Sequence, residues 1–485
     1  MSAIVTRRRL SIFLCVSCIV ASIVLVLDKD SVSSIHSNSV SIKTNSIFRQ
    51  KSTNSNDIHS LYSEQARLRL QEIFRQRKTI SICANGGSST AGAGIPAPFR
   101  YFERLASFVQ DDLHKNVSLI DRGHGARDSF HSSMLFHSFI PESVDILIWE
   151  FSINDFVEAR VEYEARNGLL LWLKAIQKHM AKNPPLVILA YLWDSPFSMT
   201  QNTHVNDSIY QEHTKGLIPL GAEFDFVVGH FNFAAYLDNL GLGYTRTEDE
   251  FLLDEHHPNY QGHQRIGEGL YQFIRMVLDG SLLPIPVRAT PITKSEYMWP
   301  CGVTSHDQNI LKNIMLSTDG LSKASYTEDI PRNMAPRYGM IRPYLLLSNG
   351  SVAAIQTAPT LFGKANPKRQ DRQFGWDIPS CSHREYMSFD ISAFSPIRTI
   401  QLFFPTVQLT KRSITVLVNG TRRKEKTSYR ILAAKNWNGC GIETCITKYL
   451  FSHWIIFSEG EPVEIANISF CSKVKGLALE HMALF

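Results

Sequence analysis

Between residues 78 and 280 the chain alternates two kinds of hydrophobic pattern. Short apolar runs rich in β-branched residues, TISICA at 79–84, VSLID at 117–121, VDILIWEF at 144–151 and PPLVILAYLW at 184–193, predict strands. The run at 144–151 is too uniformly apolar for a half-exposed edge, so it is expected to be buried on both faces. Helical spacing separates these runs. It begins at Asp57, with Leu61, Ala66, Leu68, Leu70, Ile73 and Phe74 as its apolar positions. It returns with Phe99, Phe102, Leu105 and Phe108, where Pro96 and Pro98 suit the helix start, and again over 167–180 and after HHPNYQGH. Strands alternating with helices predict an α/β domain over 57–283, with a parallel sheet covered on both faces.

After Leu283 the texture changes. A proline-rich stretch, LLPIPVRATPITK, reads as a linker over 284–298. From 299 to 485 the runs are short and alternating: REYMSFDISAF, IRTIQLFFP, RSITVLVNGT, SYRILAA, HWIIFSEG and VEIANISF. Turn signals such as Asn419-Gly420 separate them, so this part is expected to be a β-rich, sandwich-like accessory domain. Trp376, Tyr386, Trp437 and Trp454 are candidate stacking platforms for sugar rings there, although aromatics in a sandwich more often fill the core.

The N-terminus follows a different pattern. Residues 10–27 carry no charge and reach about 27 Å as a helix, enough to span a thin bilayer. Arg7, Arg8 and Arg9 precede them and Asp28-Lys29-Asp30 follows. The positive-inside rule then gives a cytosolic tail at 1–9, a signal anchor at 10–27 and a flexible stem at 28–56. The body of this single-pass type II membrane protein is expected to be lumenal or extracellular. A cleaved signal peptide is the rival, but the run is long for one and no small-residue cleavage site follows. The short span suits the endoplasmic reticulum or Golgi better than the plasma membrane. Five Asn-x-Ser/Thr triplets, at Asn116, Asn206, Asn349, Asn419 and Asn467, are compatible with glycosylation on that side.

Composition narrows the class. In 485 residues, 44% hydrophobic and 20% charged content suits a folded chain with more than one core. The net charge of +5 comes partly from the three N-terminal arginines, and no basic stripe interleaves with aromatics, so a nucleic acid partner is not expected. Of eight cysteines, Cys301, Cys381, Cys440, Cys445 and Cys471 crowd the last third, which predicts disulfides in an oxidising compartment. Cys83, inside an apolar strand, reads as a buried thiol, although the odd count leaves a pairing partner open for it. Cys440 and Cys445 have no matching Cys or His pair nearby, so no metal site is expected.

Ser88 carries the most chemistry. It sits in TISICANGGSSTAG, where a predicted strand breaks into small residues and turns, and such strand ends are where open α/β sheets bind ligands. A serine there is a nucleophile if a base reaches it, or merely part of a Ser-rich turn; a phosphate-binding loop is disfavoured because no Gly-Lys-Ser/Thr follows. Far downstream, LLDEHHPNYQGH places Asp254 three residues before His257, in a loop shaped by Pro258 and Gly262. One turn can present both, the carboxylate fixing the imidazole while its other nitrogen faces the serine. His256 is the neighbouring candidate base. Asn154, after the third strand, is an oxyanion donor or a helix cap. The glycine-rich DRGHGARDS at 121–129 offers backbone N–H groups of the same use.

GGSSTAG, the glycine loop, SIND and DEHHPN, in this order, resemble the four blocks of the SGNH (GDSL-type) hydrolase superfamily over residues 78–280. The resemblance implies a flavodoxin-like three-layer α/β/α fold and chemistry with no metal and no cofactor. It implies Ser88 as nucleophile, Asp254 and His257 as its dyad, and an oxyanion hole from the N–H of Ser88, Gly125 or Ala126, and the Asn154 side chain. Gly87 replaces the usual Asp of Gly-Asp-Ser, and Asp121 stands where an Asn usually opens the second block. The expected activity is an esterase acting on O-acylated carbohydrate, with an O-acetyltransferase on the same site or a membrane-tethered glycan-binding protein as alternatives.

Overall fold

The computed structural model describes residues 59–125, 127–158, 162–192, 217, 220–240, 248–253, 257–284, 305–319, 321–327, 343–347, 351–353, 360–362, 373–404, 414–418, 430–433, 451–473, 477–479 and 481–485. The anchor and stem expected at 10–56, most of the linker at 285–298, the Asn419-Gly420 turn, Trp437, Asp254, His256 and Ala126 lie outside them. Among the described residues no helix is long and apolar enough to cross a membrane.

Six strands build the first sheet: β1 (His59–Leu61), β2 (Thr79–Gly86), β3 (Asn116–Gly123), β4 (Ile146–Glu150), β5 (Leu186–Tyr191) and β6 (Val227–Asn232). Their order is β1-β6-β5-β4-β2-β3, and β2 to β6 run parallel. Counted from β2, these five strands follow the order 2-1-3-4-5 of flavodoxin-like sheets. Alternation within β4 shows how the layers form. Ile146 and Ile148 pack with Leu105, Leu270 and Phe273 on one face, whereas Leu147 and Trp149 pack with Leu171 and Trp172 on the other. The helices Tyr101–Leu113 and Tyr260–Leu278 thus cover one face and Glu162–His179 the other, a three-layer α/β/α arrangement.

Two local expectations need correction. The helical reading from Asp57 overlooks an edge strand: His59, Ser60 and Leu61 pair antiparallel with Phe231, His230 and Gly229, so the sheet is not wholly parallel. The helix begins only at Glu64, because Ser63 caps it by accepting the Ala66 N–H at 3.2 Å. Pro96 and Pro98 likewise lie in turns ahead of the helix Tyr101–Leu113. Its start is set by a capping box in which the Arg100 N–H donates to Glu103 at 3.1 Å. Strand β6 and the helix Phe233–Asn239 have no counterpart in the sequence reading.

The C-terminal half is β-rich, preceded by a helix, Ser305–Ser317, that the sequence pattern does not announce. One antiparallel sheet orders Ile414–Val418, Asn467–Ser472, Tyr386–Asp390, Pro343–Leu346 and Val352–Ala353. A second orders Arg430–Ala433, Phe451–Ile456, Thr399–Phe404, His481–Leu484 and Ala324–Thr327. Phe389, Val416 and Phe470 of the first sheet and Ile400, Ile455 and Met482 of the second share one core. Cys381 and Cys471 form a disulfide, and Cys83 is buried and not disulfide-bonded. Trp454 is only 1% exposed, so it is a core residue and not a platform.

The two halves share a further core. Ile314, Trp454 and Phe485 pack in the same apolar cluster as Phe130, Met134 and Phe139 of the first half. Buried polar links accompany them. The Ser322 hydroxyl donates to the Met134 carbonyl at 2.5 Å, and the Ser138 and Ser325 hydroxyls meet at 2.8 Å.

Candidate active site

Ser88 opens a one-turn helix, Ser88–Ala91, directly after β2, with Gly87 as its N-cap. The turn is tight because its neighbours hold it. The Gly87 N–H donates to the Glu150 carbonyl at the end of β4, and the His124 N–H donates to the Gly86 carbonyl, at 3.0 and 2.9 Å. Gly92, at φ 74°, ends the helix in the left-handed region that glycine adopts freely. As the first helical residue, Ser88 has an N–H without an acceptor inside its own helix, which aims it outward. Ser88 itself is half-buried.

His257 reaches this serine from 169 residues away, its Nε2 lying 2.8 Å from Ser88 Oγ. The loop that presents it is closed by the Leu253 N–H on the His257 carbonyl at 2.8 Å. Asn259 then caps the following helix by accepting the Gly262 N–H at 2.9 Å. With Nε2 facing the hydroxyl, the imidazole is placed to take the serine proton. Asp254, its expected orienting carboxylate, lies outside the described residues.

Asn154 is the third residue of the helix Ser152–Glu158 that follows β4. Its carboxamide lies against Gly87: a Cβ at position 87 would overlap Asn154 Oδ1. A larger residue at 87 therefore requires the Asn154 carboxamide to shift. The next residue, Asp155, is buried and fixes the start of the neighbouring helix. Its carboxylate accepts the Ser129 N–H at 2.7 Å and the Ser129 hydroxyl at 2.6 Å. Gly125 lies in the turn after β3, with its carbonyl 3.0 Å from His124 Nδ1; Ala126 lies outside the described residues. Asp121 serves the structure of the loop, because it accepts the Gly123 N–H at 2.8 Å and pairs with Arg100.

Three residues that the sequence did not single out support the serine turn. Glu150 is fully buried at the end of β4 and accepts the Thr90 hydroxyl at 2.6 Å. Thr90 Oγ1 also meets the Tyr101 hydroxyl at 2.9 Å, and the Tyr101 N–H donates to His263 Nδ1 at 3.1 Å. Burial pushes the Glu150 carboxyl up to about 8, against the lowering effect of its Thr90 hydrogen bond. Burial also lowers His263 to about 3, with the Arg100 charge assisting. A lone Glu in an otherwise apolar strand was the available signal for the first of these.

The raised Glu150 value has a stability consequence with a definite sign. The folded state keeps this proton after the unfolded chain has lost it, so stability falls as pH rises from about 4.5 and levels off above about 8. Glu150→Gln is expected to gain stability over the parent progressively across that window, by at most about 1.4 kcal/mol for each pH unit crossed. Asp155, also raised mainly by burial, acts in the same direction but is common to both proteins. Thermal melts of the pair at pH 5, 7 and 9 check this; a difference independent of pH refutes it.

No protein-family model matches this sequence, and no curated protein is similar to it at a significant level. Solved structures do show similarity. A two-domain esterase active on acetylated mannans is 13% identical at a TM-score of 0.47, covering 88% of this chain and 98% of its own. A member of the lipolytic G-D-S-L family from Veillonella parvula is 17% identical at 0.31, covering 40% of this chain and 97% of its own. An acetylxylan esterase from Geobacillus stearothermophilus is 12% identical at 0.32, covering 40% and 94%.

Proposed function

We propose that this SGNH-like chain is a serine esterase that cleaves acyl esters of carbohydrate. The observation that carries this reading is the 2.8 Å approach of His257 Nε2 to Ser88 Oγ at the carboxyl edge of a 2-1-3-4-5 sheet. Two side chains so distant in sequence meet there as nucleophile and base.

His257, oriented by Asp254, removes the Ser88 proton as Oγ attacks the ester carbonyl carbon. The tetrahedral oxyanion takes hydrogen bonds from the Ser88 N–H, the N–H of Gly125 or Ala126, and the Asn154 amide. Collapse breaks the bond between the acyl carbon and the alkoxy oxygen, and His257 returns its proton to the departing hydroxyl. Water then enters, deprotonated by His257, and releases the acid and free Ser88. The carbohydrate assignment rests on the N-terminal pattern: an apolar run of 18 residues after three arginines, with glycosylation triplets downstream, suits an anchored lumenal enzyme among glycans. An endoplasmic reticulum or Golgi location belongs to the same reading.

The test uses the full chain. A fluorophosphonate probe is expected to label the parent and not Ser88→Ala, and acetate release from acetylated xylan is expected to follow the labelling. Labelling retained in Ser88→Ala excludes Ser88 as the nucleophile.

A further inference from the structure

The second block of the site past β3, described at 124–125 and 127–128, is held from three directions. Its start is tied to β2 by the His124 N–H on the Gly86 carbonyl at 2.9 Å. Just past its end, Ser129 donates to Asp155 on the helix that carries Asn154. The third hold comes from the other half of the chain. Arg127 Nη2 lies 2.8 Å from Nε2 of His481, which is 354 residues away on the His481–Leu484 strand.

This third hold is costly to build. Arg127 and His481 are 1% and 0% exposed, and a buried guanidinium requires compensation. Its Cζ also sits 4.4 Å above the Phe139 ring. His481 stands edge-on to His124, at 6.0 Å between ring centroids, so it touches both ends of the 124–127 segment. On its inner side the same segment abuts the nucleophile turn, since a Cβ at Gly87 would lie 3.6 Å from the Arg127 carbonyl. The arginine is always protonated and donates, so His481 accepts through Nε2.

We infer that His481 of the C-terminal half is a positioning residue for catalysis, holding Arg127 and His124 so that the Gly125 backbone between them presents its N–H to the Ser88 oxyanion site. This rests on the esterase reading for its consequence, not for its geometry. The C-terminal half thereby completes the site, independently of any carbohydrate it binds.

The experiment compares the full-chain parent with His481→Phe, His481→Gln and Ser325→Ala. Glutamine keeps an acceptor near the position of Nε2 and phenylalanine does not. Ser325→Ala cuts a neighbouring link between the halves that does not touch the loop. His481→Phe is expected to lower kcat for p-nitrophenyl acetate about tenfold or more with KM nearly unchanged. It should weaken benzeneboronic acid, a tetrahedral adduct of the serine, by the same factor. Glutamine should restore most of both, and Ser325→Ala should alter melting temperature without that split. Amide hydrogen exchange over 124–127 should quicken in the phenylalanine variant. Unchanged exchange there in a folded variant overturns the inference, as does a kcat loss that merely tracks melting temperature across all three substitutions. If the phenylalanine variant does not fold, a glutamine variant with the full activity loss overturns it, and one with parent-like activity and exchange supports it. A parent without Ser88-dependent turnover, but with faster exchange in the variant, sinks the esterase reading and leaves the anchor standing.

Discussion

Ser88→Ala is expected to lower kcat/KM for p-nitrophenyl acetate by about 10⁴-fold or more, and His257→Ala by a similar factor. The basis is the 2.8 Å pair: without Oγ there is no acyl-enzyme, and without the imidazole the hydroxyl keeps its proton. Because both act in one step, the double variant should be no worse than either single one. Losses that multiply would mean that serine and histidine act separately, and the shared mechanism fails. Ser88 is half-buried at the end of a strand and forms no part of either apolar core, so melting temperature should change little in Ser88→Ala. That separates a lost reaction from a lost fold.

Asn154→Ala is the second large effect, about 10²- to 10³-fold in kcat with KM little changed. An amide that meets charge only in the transition state contributes to kcat and not to ground-state binding. Asn154→Asp should be as damaging, since a carboxylate beside a developing oxyanion repels it. Steady-state kinetics of both variants decide the matter: a loss confined to KM would reassign Asn154 to substrate binding. Its position against Gly87 adds a structural reason to expect sensitivity, because the asparagine and the serine turn share one small space.

Much of this was legible in the sequence, for identifiable reasons. Strands β2, β4 and β5 announced themselves because buried parallel strands are continuous apolar runs, and the small residues of the serine turn and Asn154 follow the ends of β2 and β4. Ser88 and His257 were readable because the ordered blocks resemble a known family, not because either neighbourhood is distinctive. Edge strand β1 was hidden because three residues with one edge to pair leave no periodicity to read. Glu150, Thr90 and Tyr101 form a network among neighbouring elements, and no local pattern marks a hydrogen bond made across 60 residues. Arg127 and His481 were less visible still, since their pairing depends on how the two halves pack.

The apolar cluster common to both halves also bears on how such a chain can be inherited. Phe130, Met134 and Phe139 lie within a few per cent of full burial, in one cluster with Trp454, Ile314 and Phe485. A chain without the second half would expose part of this cluster to water as an apolar face. Phe485 is itself in this cluster and only 1% exposed. The C-terminal half is therefore not a detachable module that recombination can exchange for another; the two halves must vary together, and substitutions on one side of the seam set which residues the other side can accept.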